Sequence, residues 1–257
     1  MAMLEVNGLL KSFGGVTAIA DLDFVVPEGK VYSVIGPNGA GKTTLFNMLS
    51  GIYVPDEGEV LFQGRSILKK QPFQIAQMGV SRTFQNLQIF FNMTALENVL
   101  VGCHLRTNSH MIDSLLRLPK IIREEKQVRQ WSEESLAFCH LDQYCERQSD
   151  ALSYGVLKRL EIARALAVQP KMLLMDEPAA GLNDTETVEM LDLIRRISDS
   201  GITVVLVEHN MSLVMNVSDR ILVLDYGSRL AEGTTSEIQQ NKKVIAAYLG
   251  GEVQYAV

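Results

Sequence analysis

Residues 36–44 read Gly-Pro-Asn-Gly-Ala-Gly-Lys-Thr-Thr. Gly36, Gly41, Lys42 and Thr43 fit Gly-x4-Gly-Lys-Thr, the pattern of a phosphate-binding loop. An apolar run, Val31–Ile35, precedes the loop and suits a buried strand. Thr44–Ser50 follow as a helix closed by Gly51. Strand, glycine loop and helix is the setting this motif requires. Glycines let successive backbone N–H groups converge on phosphate oxygens, and the helix N-terminus adds roughly half a positive charge there. Pro37, Asn38, Gly39, Ala40 and Thr44 complete the cradle. Lys42 supplies a mobile full charge for the β- and γ-phosphates, and Thr43 a hydroxyl for Mg²⁺. A glycine turn without a ligand matches the four fixed positions by chance roughly once in a hundred chains of this length. The stretch therefore predicts that the chain grips a nucleoside triphosphate.

Two further motifs extend the reading. Met172-Leu-Leu-Met-Asp176 is an apolar run ending in an acid, followed by Glu177 and Pro178. A buried parallel strand there delivers Asp176 and Glu177 to its C-terminal edge, where open α/β sheets bind ligands. Asp176 suits Mg²⁺, and Glu177 suits orienting or deprotonating an attacking water. Taken alone, the pair could be a solvated acidic doublet after a core strand. Leu152-Ser-Tyr-Gly155 opens a helix predicted over 156–168, ending before Gln169-Pro170. Val156, Leu160, Ala163 and Ala167 give it an apolar stripe, with Lys158, Arg159 and Arg164 on other faces. Ser153 and Gly155 at a helix start form a second anion site; read in isolation they are an ordinary serine cap.

Together these motifs resemble the ATP-binding cassette (ABC) ATPases, the motor subunits of ABC transporters. Residues 36–44 are similar to that family's Walker A motif and 172–177 to its Walker B with catalytic glutamate. Residues 152–155 occupy the family signature, usually Leu-Ser-Gly-Gly-Gln, from which Tyr154 and Val156 depart. The resemblance implies that Ser153 and Gly155 close over ATP held by a second ATPase subunit, identical or different. It gives Gln85 the part of the glutamine that senses Mg²⁺ and the γ-phosphate; by itself Gln85 reads as an exposed residue at a strand end. His209, after the run Ile202–Val207 and Glu208, resembles the switch histidine, although a lone histidine after a strand is usually structural. Ala180-Gly-Leu-Asn183 resembles the loop coupling the two sites of a dimer, or a glycine turn before a helix capped by Asp184. Phe13 sits where the family stacks an aromatic ring on adenine, or is simply core.

Composition sets bounds. The chain has 257 residues, a formal net charge of −6 and 47% hydrophobic residues. That is ample for one packed core with a subdomain. No apolar run approaches the roughly 20 residues of a membrane helix. The start, Met-Ala-Met-Leu-Glu-Val, lacks the basic-then-apolar pattern of a secretion signal, so a cytosolic protein is expected. Acidic balance and the lack of a basic run argue against nucleic-acid binding. Cys103, Cys139 and Cys145 read as reduced thiols.

The pattern predicts an α/β fold. Residues 4–34 and 59–63 suggest an antiparallel sheet, while 80–84, 172–176, 202–207 and 220–225 suggest parallel strands covered by helices. Residues 94–150 break the alternation. Thr94-Ala-Leu-Glu97 is a capping box, and after the polar stretch 106–110 Ile121, Val128, Trp131 and Cys139 fall near one helix face. The resemblance implies a RecA-like phosphate-loop core with an antiparallel β subdomain, over 1–93 and 151–257, and a helical subdomain at 94–150. Leu87, Ile89, Phe90, Phe91 and Met93 cluster in a loop after Gln85, either buried in the subdomain or docked on a partner; the resemblance implies docking against a short cytoplasmic helix of a membrane protein.

The resemblance covers nearly the whole chain and is nearest to the ATP-binding subunits of branched-chain amino-acid importers. It is carried by 152–155, by 176–183, by Val207-Glu-His-Asn210 and by the ending Ile245-Ala-Ala-Tyr-Leu-Gly250. It implies ATP hydrolysis with Mg²⁺ at the cytoplasmic face of a membrane, two permease subunits, and an external substrate-binding protein reached indirectly. ATPases of lipopolysaccharide exporters are similar. A soluble ABC protein of DNA repair or the ribosome would carry coiled-coil insertions or two cassettes, and a small-molecule P-loop kinase would lack the Leu152–Gly155 helix start.

Overall fold

The computed structural model describes residues 1–106 and 119–249; the expected polar stretch at 107–110 and Gly250 lie outside them. In chain order the strands are β1 (Ala2–Phe13), β2 (Val16–Pro27), β3 (Val31–Ile35), β4 (Glu57–Phe62), β5 (Arg65–Ser66), β6 (Val80–Arg82), β7 (Met172–Asp176), β8 (Thr203–Val207), β9 (Arg220–Asp225) and β10 (Ser228–Gly233). The helices are α1 (Lys42–Leu49), α2 (Pro72–Met78), α3 (Ala95–Gly102), α4 (Pro119–Phe138), α5 (Tyr154–Leu166), α6 (Asp184–Asp199), α7 (Met211–Val217), α8 (Thr235–Gln240) and α9 (Lys242–Leu249). The chain divides into two compact units, Met1–Arg82 with Lys171–Val257, and Thr83–Pro170.

The first unit holds two sheets. One runs β2-β1-β4-β5 and is antiparallel. The other runs β10-β9-β3-β8-β7-β6, parallel except for β10. Every residue of β3, β7 and β8 is buried, which is why these strands read as unbroken apolar runs rather than alternating ones. The expected antiparallel segment 4–34 therefore ends before Val31, because β3 belongs to the parallel sheet. Register then sets the site. Val34 and Asp176 both stand opposite Val207, so β3, β7 and β8 end level at one edge. Leu45, Phe46, Met48 and Leu49 of α1 pack with Leu174, Val205 and Val207 on one face of the sheet. Ile35, Ile221 and Val223 pack with Val214, Ile238 and Val244 on the other.

Other boundaries also differ from the sequence expectation. The strand expected at 80–84 stops at Arg82, where the second unit begins. Helix α6 is capped by Asn183, not Asp184: the Asn183 side chain accepts from Glu186 N, and Glu186 reaches back to Asn183 N.

The second unit is helical among its described residues. Its span takes in 83–93 and α5 as well as the expected stretch 94–150. The Thr94 box caps α3 as the sequence predicts. Helix α5 begins at Tyr154, earlier than expected. It is buried on more than one side, with Lys158 and Glu161 enclosed alongside Leu160 and Ala163. Its low amphipathicity follows: a helix clasped from several directions needs no polar stripe. On α4, Val128 and Leu136 are buried, while half-buried Trp131 carries the Arg106 guanidinium 3.3 Å from its ring centroid. Cys103, Cys139 and Cys145 are free thiols.

Asn98, fully buried on α3, organises this unit. Its amide donates to Phe90 O, Thr94 O and Ser149 Oγ, each at 3.0 Å, and its oxygen accepts from Phe90 N at 2.9 Å. The loop 87–93 is thereby split. Ile89 is buried, Leu87 and Met93 half-buried, and Phe90 and Phe91 exposed, so it is neither all core nor all surface. Replacing Asn98 by Ala leaves four polar groups without this partner and is expected to cost about 2–3 kcal/mol. Urea unfolding followed by Trp131, the sole tryptophan, checks this.

Candidate nucleotide site

The phosphate loop follows β3 without slack. Gly36 takes φ +155°, and a Cβ there would collide with the Leu224 carbonyl. Gly41 takes φ +99°, and its Cβ would lie 2.5 Å from Ala18 O. The glycines are thus required twice over, by backbone conformation and by the close approach of β2 and β9. Gly227 N donates to Ala40 O and Ala20 N to Gly227 O, so the β9–β10 turn braces the loop from outside. Asn38 and Gly39 are exposed, Pro37 and Thr44 half-buried. Lys42 begins α1 and is buried. Its Nζ donates to Gly36 O at 2.7 Å and Pro37 O at 2.9 Å. Burial lowers the Lys42 pKa, while Glu177 and Asp176 pull it back up. Thr43 presents an exposed side chain beside it.

The acidic pair ends β7 as predicted. Asp176 is buried and paired with Arg82, whose Nη2 lies 3.1 Å from Asp176 Oδ2. Glu177 adopts φ +49°, a left-handed conformation that costs a non-glycine residue on the order of 1 kcal/mol. Its amide donates to Val207 O at 2.8 Å, which ties the turn to the end of β8. His209 Nε2 sits 2.8 Å from Glu177 Oε1. Lys42, Asp176, Glu177 and His209, spread over 168 positions of sequence numbering from 42 to 209, thus converge on one sheet edge.

Phe13 is not core. It is 44% exposed, and its ring meets Tyr53 edge-on at 5.2 Å between centroids. Lys11 lies over Phe13 and is held by Asp56, whose other oxygen accepts from Ser12 N. The remaining expected residues lie in the second unit. Gln85 is exposed and its carbonyl accepts from Lys158 Nζ at 3.1 Å. Ser153 is the exposed N-cap of α5 without a side-chain capping bond, and Gly155 is buried in the first turn.

Sequence reasoning passed over two residues. Glu208, buried, accepts Ala179 N through Oε1 and both His209 N and Asn210 N through Oε2. It knits the loops after β7 and β8 together and holds the backbone of His209. An acid enclosed at the end of an apolar strand was the available signal. Arg82 was the other: its three side-chain acceptors come from distant segments, so nothing local marked it.

The donors suit Mg²⁺. Among the described residues no three His, Cys, Asp or Glu form a cluster able to hold a metal alone. Thr43 and Asp176 offer hard oxygens, and Mg²⁺ is commonly bound through one or two protein oxygens plus substrate phosphates.

Fold and site define a phosphate-loop nucleotide hydrolase. The family model described as ABC transporter matches residues 19–180, and that of the branched-chain amino acid ATP-binding cassette transporter matches 228–254. The high-affinity branched-chain amino acid transport ATP-binding protein BraF of Pseudomonas aeruginosa is 43% identical over 96% of this chain and 98% of its own. LivG of Escherichia coli K12, of the same description, is 42% identical over the same shares. The solved ADP conformation of an ATP-binding cassette of an ABC transporter superposes with TM-score 0.85 at 34% identity, covering 97% of this chain and 99% of that one. The chain belongs to the ABC transporter ATPases, in the branch of the branched-chain amino acid transport ATP-binding proteins.

Glu208→Ala removes the bracket behind His209 without touching the phosphate loop. Hydrolysis is expected to fall roughly 10- to 100-fold with ATP affinity little changed, as steady-state phosphate release and nucleotide titration will read.

Proposed function

We propose that this ATPase drives import of branched-chain amino acids or a closely related small polar solute, working with Mg²⁺·ATP as one half of a two-ATPase clamp on a pair of membrane permeases. The observation that carries the reading is the convergence of Lys42, Asp176, Glu177 and His209 on one sheet edge. The match of 228–254 to the branched-chain cassette model supports the substrate class.

ATP binds with its phosphates in the cradle Gly36–Thr44. Lys42 leaves the Gly36 and Pro37 carbonyls for the β- and γ-phosphates, exchanging neutral acceptors for charged ones. Phe13 supports the base. Thr43 and Asp176 would hold Mg²⁺, with Gln85 in the part the family resemblance gives it, and the ion would supply positive charge against that of the phosphates. Glu177 orients and deprotonates the attacking water, and His209 steadies both Glu177 and the γ-phosphate. Ser153 and Gly155 of one subunit close over the γ-phosphate held by the other, so nucleotide joins the subunits and hydrolysis releases them. Phosphoryl transfer depends on positioning and charge stabilisation, which is what these groups supply.

The partners follow from surface chemistry. Among the described residues no helix is long and apolar enough to cross a membrane. Phe90 and Phe91, 43% and 48% exposed in the loop that follows Gln85 in sequence, offer an apolar face to a permease segment at the cytoplasmic side. A binding protein on the far side supplies the solute without touching this chain, and nucleic acid has no part.

Glu177→Gln keeps size and hydrogen bonding but loses the base. Turnover is expected to drop roughly 100-fold or more, ATP binding to persist, and an ATP-bound dimer to accumulate on gel filtration. Turnover within threefold of the native chain refutes the role of Glu177. Purified from solubilised membranes with ATP, this variant is expected to bring two polytopic permeases and a related ATPase; soluble partners alone would end the transport reading. Phe90→Asp is expected to weaken membrane association at least tenfold while nucleotide affinity stays within twofold, and unchanged co-sedimentation with membranes counts against docking there.

A further inference from the structure

Edge strand β6 pairs with β7 through Val80, Ser81 and Arg82. Arg82 stands opposite Leu174, so Asp176, two residues further on, points to the same face of the sheet. Helix α1 covers that face, with Phe46 and Leu49 in one cluster with Leu174. There the Arg82 guanidinium spreads across three acceptors. Nη2 donates to Asp176 Oδ2 at 3.1 Å, and Nη1 to Asn47 Oδ1 and Ser50 Oγ, both at 2.8 Å. The group also lies 5.6 Å from the Phe46 ring centroid. Side-chain exposure is 7% for Arg82 and 6% for Asp176.

Burying such a pair is costly, and as a source of stability an apolar pair would serve as well. The arrangement has a more specific consequence. The two non-amide protein oxygens assigned to the metal, of Thr43 and Asp176, come from different elements, α1 and β7. Arg82 bonds to both elements at once, at the carboxylate itself and at the far end of the eight-residue helix that Lys42 begins.

We infer that Arg82 is a positioning residue for the divalent ion: its planar fork locks Asp176 to α1, so that carboxylate and Thr43 hydroxyl keep one spacing. This rests on the Mg²⁺·ATP reading above. Lysine carries the same charge but cannot span the three acceptors. A lysine substitution therefore separates geometry from charge.

The measurement is the ratio of dissociation constants for a non-hydrolysable ATP analogue in EDTA and in saturating Mg²⁺, by calorimetry. For Arg82→Lys the ratio is expected to fall about tenfold, with the EDTA value within twofold of native. Asn47→Ala combined with Ser50→Ala, which frees the helix end but leaves the ion pair, is expected to lower it severalfold. In an Asp176→Asn background, adding Arg82→Lys is expected to change the ratio by less than twofold. An unchanged ratio in Arg82→Lys overturns the inference. So does an equal loss in EDTA, or a further loss in the Asp176→Asn background, since either reports general damage to the fold. A native protein whose affinity does not respond to Mg²⁺ fails earlier, at the Mg²⁺·ATP reading itself, and takes the inference with it.

Discussion

Parallel pairing of three strands buried on both faces is the constraint on which the rest depends. With β3, β8 and β7 side by side and ending level, the loops that follow them must leave from one edge. Those loops carry the phosphate cradle, the Asp176-Glu177 pair and Glu208-His209. The ladder hydrogen bonds and the apolar faces bring these loops to one edge, and Glu208 with Ala179 N and His209 with Glu177 then tie them to each other.

Electrostatics at that edge are balanced before nucleotide arrives. Buried Asp176 faces Arg82, and Lys42 lies within the field of Asp176 and Glu177. Lys42 is meanwhile parked on two loop carbonyls, which keeps the cradle shaped and its charge hydrogen-bonded. On the proposed reading, triphosphate would replace existing bonds rather than meet bare charges, the desolvation of these groups being incurred in folding. The left-handed Glu177 belongs to the same economy. Its backbone strain is held by the bond to Val207 O, and it delivers the carboxylate to His209.

The second unit shows the same use of enclosed polar groups. Asn98 binds the loop carrying Phe90 to α3 and to Ser149, leaving two phenylalanines outward next to a buried Ile89. Glu161, enclosed on α5, accepts from Phe84 N, and burial pushes its pKa up. Polar anchors inside and aromatic rings outside give this loop a defined backbone with an apolar surface, the combination a docking segment needs.

What sequence alone determined was local. A glycine loop between an apolar run and a helix, an acid pair ending a buried strand, and the Thr94 capping box are written in adjacent residues, because each depends on backbone preferences a few positions long. The element types and the class of chemistry followed from them. Tertiary structure alone decided what lies far apart in the chain. Arg82 reaches Asn47, Ser50 and Asp176, Glu208 reaches Ala179, and Phe13 lies open against Tyr53 instead of in the core. It also showed α5 enclosed on several sides, where its sequence had suggested a single stripe. The reason is physical: a side-chain hydrogen bond or a burial depends on which strands become neighbours, and strand order is settled by the collective packing of the sheet rather than by any short stretch of the chain.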